Sequence, residues 1–177
     1  MQESRRTFFK HAGTGVAGAL VWFSPSGLLR PWDDLSSAVD PIPPSAVNEF
    51  VKVAHSNLDR LKEIFSEYPH IINAAWDWGD GDFENAIGAA GHMGLRETAE
   101  FLLANGARAD LFVLTMLGET AIVKATLERF PNLLNSLGPH GFTLLHHAKM
   151  GGEPAEVLYH FLQEKGLKEL HVKIYNK

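Results

Sequence analysis

Four carboxylates, Asp77, Asp80, Asp82 and Glu84, crowd into the stretch Trp76-Asp77-Trp78-Gly79-Asp80-Gly81-Asp82-Phe83-Glu84. A hard cation such as calcium takes several oxygen ligands on a flexible loop. The glycines and the closing glutamate are not spaced as in the helix–loop–helix calcium motif, so the segment reads as a polar hairpin arm. The chain holds nine histidines, with His140, His146 and His147 close in sequence. A histidine metal site needs three or four converging ligands. The spacing brings no such set together, so neither a metal nor a cofactor is expected. The competing chemical reading is a small metal-dependent hydrolase that joins the acidic arm Asp77–Glu84 to His140 or His146.

Other chemistries lack their residues. There is no Gly-x-Ser-x-Gly elbow, no phosphate loop and no dinucleotide fingerprint. Gly88-Ala89-Ala90-Gly91 has no strand before it and no Lys-Ser/Thr after it, so it serves helix packing. The absence of cysteine excludes disulfides, thiolate metal sites and a cysteine nucleophile. The net charge of -5 argues against a nucleic-acid surface. No catalytic residue is assigned, and the chain is not expected to be an enzyme. Trp76 and Trp78 instead suggest binding. They lie two apart and share a face in an extended arm, and tryptophan is enriched at interface hot spots. Trp76, Trp78, Asp80 and Asp82 on one arm, with Arg108 and Asp110 on the next, are the expected contacts with another protein.

These residues sit in a chain that repeats itself. Residues 49–73 overlay 111–135 at an offset of 62 (Asn73 onto Asn135), with Phe50, Val51, Lys62 and Pro69 on Phe112, Val113, Lys124 and Pro131. Self-similarity at fixed spacing predicts stacked modules. Apolar periodicity predicts helices over Ala46–His55, capped by Ser45, and over Leu58–Glu67, capped by Asn57 and closed by Pro69. A small-residue helix over Asn85–Gly94 and a second over Leu95–Asn105 follow, with Gly94 and Gly106 as stops. Asp40-Pro41-Ile42-Pro43-Pro44 reads as a stiff extended spacer. The alternation of Leu170, Val172 and Ile174 suggests a short terminal strand or a cap.

Gly94 to Asp110, and Gly141-Phe142-Thr143-Leu144-Leu145-His146-His147-Ala148, resemble the ankyrin repeat, with Leu144 where proline is usual. The resemblance implies an all-α solenoid of about four helical hairpins over 46–166 (46–79, 80–110, 111–140, 141–166). A Pro-rich linker at 39–45 precedes it and a tail at 167–177 follows. It also implies a structural role for His146 in the turn between units, and a protein-binding rather than catalytic function.

The N-terminus reads as an address. Ser4-Arg5-Arg6-Thr7-Phe8-Phe9-Lys10 precedes the apolar run Ala12–Phe23, and no charged residue falls between Lys10 and Arg30. Ser4, Arg5, Arg6, Phe8, Phe9 and Lys10 resemble the twin-arginine export signal. A signal over 1–38, cut after Ala38, is expected, with no stable membrane span after cleavage because the run is short and rich in glycine. The resemblance implies passage through the twin-arginine translocase in the folded state, a periplasmic or envelope location, and service to another exported protein.

Overall fold

Pro44 opens the first helix instead of ending the spacer. In the computed structural model, which describes residues 40–174, α1 spans Pro44–Val53 with Pro43 at its N-cap. The helix therefore starts two residues before the expected bound, and Ser45 is not its cap. A first-turn proline lacks an N–H that no carbonyl would have accepted there, and its fixed φ suits the helix. The export signal expected over residues 1–38 lies outside the described residues.

α1 buries Phe50, Val51 and Ala54 on one stripe. α2 spans Leu58–Glu67, as its periodicity requires, and buries Leu61 and Ile64. The Asn57 side chain accepts the Arg60 N–H at 3.0 Å, satisfying one orphan donor of the helix start. A 3-10 turn at Pro69–Asn73 follows. The same pattern recurs at the offset of 62, where α6 (Thr120–Arg129) leads into the 3-10 turn Pro131–Asn135. The junction residues match as well, Tyr68 at φ -126, ψ 76 and Phe130 at φ -132, ψ 72. Repetition in the sequence is thus repetition in the backbone.

Between these copies runs an antiparallel hairpin of β1 (Ala75–Asp77) and β2 (Phe83–Asn85), with Trp76 opposite Glu84. Asn85 caps α3 (Ala86–Met93) by accepting the Gly88 N–H at 2.9 Å. α4 (Arg96–Ala104) returns beside it. Asp110 caps α5 (Leu111–Leu117). Thr143 caps α7 (Leu144–Gly151), and α8 (Glu156–Glu164) completes the last pair. Among the described residues the fold is therefore mostly helical, with eight α-helices and this one hairpin. α3, α5 and α7 each touch the other two, so the row of first helices closes up instead of running straight. Small residues permit this. A Cβ on Gly91 would lie 3.5 Å from Val113, and one on Gly94 would lie 2.6 Å from the Met150 carbonyl oxygen. The tail pairs over the last unit through a Phe142–His171 bridge and the bond from Val172 N–H to the Gly141 carbonyl, 2.9 Å.

His147 is fully buried in this packing. Its Nδ1–H donates to the Thr143 carbonyl at 2.8 Å, while Nε2 has no partner. Burial pulls its pKa down to about 4, so the ring is neutral in the fold. The unfolded chain takes up this proton first as pH falls, so stability drops from about pH 6.5 towards pH 4, by up to about 3 kcal/mol. His147→Gln keeps a donor for Thr143 and loses the titration. Urea unfolding at pH 7 and pH 5 should show a smaller drop for this variant than for the wild type.

Two helix-ending glycines separate conformation from contact. Gly118 has φ 78, and an added Cβ would fall 2.1 Å from the Pro154 carbonyl oxygen. Gly106 has φ 90 with nothing within 4 Å. Gly106→Ala should cost only the left-handed backbone term, about 1 kcal/mol. Gly118→Ala should cost at least about 2 kcal/mol more, because backbone must also move. Urea midpoints of the two variants give this comparison.

Candidate metal centre

A strand side chain every second residue points to the same face. In the hairpin this rule puts Trp76 and Glu84 on one face and Phe83 and Asn85 on the other. Glu84 faces inward and is 1% exposed. Three imidazoles from three other elements meet it there. His55, just beyond α1, brings Nε2 to 3.4 Å from Glu84 Oε2. His140, in the turn before α7, brings Nε2 to 3.4 Å from the same oxygen. His92, from the last turn of α3, brings Nε2 to 3.3 Å from Oε1. One ligand atom from each of these four residues lies within 4.8 Å of the others.

Hydrogen bonds fix which nitrogens carry protons. His55 Nδ1 lies 3.1 Å from both the Val51 and the Lys52 carbonyls. Carbonyls only accept, so Nδ1 is the donor and, in the neutral ring, Nε2 keeps its lone pair. His140 Nδ1 lies 2.6 Å from Asp82 Oδ2, and the His140 backbone N–H donates to Asp82 Oδ1 at 2.9 Å. This grip holds His140 at φ 60, a left-handed conformation, and in the neutral ring with Nδ1 protonated it leaves the Nε2 lone pair towards Glu84. A carboxylate bonded to the far nitrogen of an imidazole is the usual outer support of a metal-bound histidine. On the other side, the Trp78 indole N–H donates to Glu84 Oε2 at 2.7 Å.

Lone pairs converging on a buried carboxylate repel unless a cation lies among them. A tetrahedral ion bonded at about 2.0–2.1 Å separates its ligand atoms by about 3.3 Å. His55 and His140 lie 3.4 Å from Oε2 and His92 lies 3.3 Å from Oε1, separations of that size shared between the two carboxylate oxygens. Glu84 Oε1 and both ring nitrogens of His92 are buried without a hydrogen-bond partner. Buried polar atoms are rarely left so, and all three belong to this cluster. Burial raises the Glu84 pKa and lowers that of His92 to about 3, so His92 presents a neutral ring. Two carboxylates, Glu84 and Asp82, match the charge of one divalent ion. The residues present therefore fit a borderline transition ion such as zinc.

Of the residues expected to meet a partner, Asp82 and Trp78 are occupied here. The Trp78 indole N–H reaches in to Glu84 while the ring stays 37% exposed, and Trp76 is half-buried. Asp77 accepts the Gly79 and Gly81 N–H groups and shapes the turn. Asp80 is exposed at φ 61. The Arg108 backbone N–H donates to Asn73 at 2.8 Å. Asp110 caps α5, and burial raises its pKa. His146 stays outside the cluster but supports it, with Nε2 donating to the His92 carbonyl at 2.9 Å. No metal was expected from the spacing, whereas folding assembles four candidate ligands from four segments. His55 and His92 carried no local signal. The inward parity of Glu84 opposite Trp76 was the one available hint.

No family model matches the chain, and neither does a curated protein or a solved structure.

The indole bond to Glu84 gives a test that does not depend on the ion. Trp78→Phe keeps the ring and removes the donor, leaving a buried carboxylate oxygen with one partner fewer. In chelator-treated protein this should lower stability by about 1–3 kcal/mol by urea unfolding, despite the exposure of the ring.

Proposed function

We propose that this protein is an exported, ankyrin-like repeat protein that binds one divalent transition-metal ion through His55, Glu84, His92 and His140. The observation that carries the reading is the convergence of three imidazole Nε2 atoms on one buried carboxylate, with one ligand atom from each of the four residues within 4.8 Å of the others. Export is supported by Ser4-Arg5-Arg6 and the apolar run after them. The ankyrin-like reading is supported by the helix pairs and by Thr143, whose hydroxyl accepts the His146 N–H at 3.3 Å.

Four protein ligands complete a tetrahedral ion and leave no position for a reacting water, as in structural or sensing sites. That favours a clamp over the hydrolase alternative. The ligands come from the first hairpin, the arm, the second hairpin and the loop before the last hairpin. An ion held there ties these segments together and orients the arm for a partner in the envelope.

Isothermal calorimetry of chelator-treated protein should record one zinc ion per chain and no heat with calcium. His92→Ala should abolish zinc uptake. Zinc at about 100 times its Kd should add about 2.7 kcal/mol of stability. The absence of heat and of stabilisation with zinc, nickel and copper would overturn the reading.

A further inference from the structure

The outer face of the hairpin borders a different feature. Opposite to Glu84, Phe83 forms one wall of a groove of about 700 Å³ that runs between the first arm and the loop before Pro139. Phe83 is 64% exposed, and Leu133, Leu137 and Ile174 in the same groove are also exposed. Large apolar side chains gathered in one exposed depression mark binding surfaces. The charge of the groove is one-sided. Asp80, Asp82, Glu84 and Asp110 stand on it, and among the described residues no lysine or arginine lines it. Its occupant must therefore supply apolar side chains together with positive charge.

We propose that this groove docks a segment of a partner protein in which a lysine or arginine is flanked by large apolar residues. The apolar side chains lie against Phe83, Leu133, Leu137 and Ile174, and the cation is drawn to Asp80 and Asp110. Two of the carboxylates that line it, Asp80 and Asp110, are among the residues the sequence marks for partner contact. The groove adjoins the imidazole cluster, since Asp82 and Glu84 also border it, and β2 is common to both, with Glu84 on one face and Phe83 on the other. The proposal names the partner chemistry of the clamped arm and rests on the reading of the chain as an interaction module. It does not require the ion.

The probe is a fluorescein-labelled peptide, Leu-Lys-Phe-Lys-Leu with blocked ends, compared with Leu-Glu-Phe-Glu-Leu. Fluorescence anisotropy on zinc-loaded and chelator-treated protein should show the lysine peptide binding at least about tenfold more tightly than the glutamate peptide. Phe83→Ser and Leu137→Ser replace exposed side chains and should keep the wild-type melting temperature while weakening the lysine peptide about tenfold. Asp80→Asn, which tolerates the left-handed conformation, should weaken it about threefold and reduce the salt dependence. No preference between the peptides, or equal binding by the wild type and Phe83→Ser, overturns the proposal. So does a wild type that sediments as a dimer and becomes a monomer on Phe83→Ser, which would make a second copy the occupant. Zinc uptake measured on the same samples tests the metal reading separately, so failure of the groove with uptake intact counts against the groove alone.

Discussion

A carboxylate deep inside a small helical protein sets the main constraint. Glu84 cannot lose its water without replacement partners, since an ionised group in a low-dielectric interior is costly unless paired. The Trp78 indole N–H is one such partner, and a cation held among His55, His92 and His140 would supply the rest, each side chain coming from a different place in the chain. Much of the surrounding architecture can be understood as delivery. Pairing of β1 with β2 sets the inward parity of Glu84. The left-handed end of α3 at Gly94 lets His92 sit in the last turn against the last unit. Asp82 bends the loop before α7 so that His140 faces the same point.

The helices reach this arrangement through small residues. On α3, Gly91 lies against Val113 of α5 and Gly88 against Pro139, while Gly94 at its end lies against Met150 of α7. Larger side chains there would hold α7 away and carry the loop of His140 with it. Packing density and the geometry of the cluster are therefore one problem, solved on a single eight-residue helix.

The sequence made the helical plan legible because that plan is local. Periodic apolar stripes, Asn57 as a cap, Pro69 and Pro131 as stops, and the overlay of 49–73 on 111–135 all act within a few residues of themselves. The start of α1 was misplaced because a proline was read as a breaker where a first turn accepts it. The cluster was not legible for the opposite reason. His55, Glu84, His92 and His140 are far apart in the chain, and each looks like an ordinary polar residue at a helix end or turn. Trp78 was legible only as a tryptophan on a polar arm, because its bond to the Glu84 carboxylate across the hairpin forms only on folding.

Repeat stacks with only neighbour-to-neighbour contacts tend to fray from their ends, each module opening on its own. Here His55 lies just beyond α1 and His140 in the turn before α7, and both converge on Glu84. An ion held between them would couple the first helix pair to the last. Loss of the first helix pair would then loosen the last, so the described helices should open as a single cooperative unit and not pair by pair.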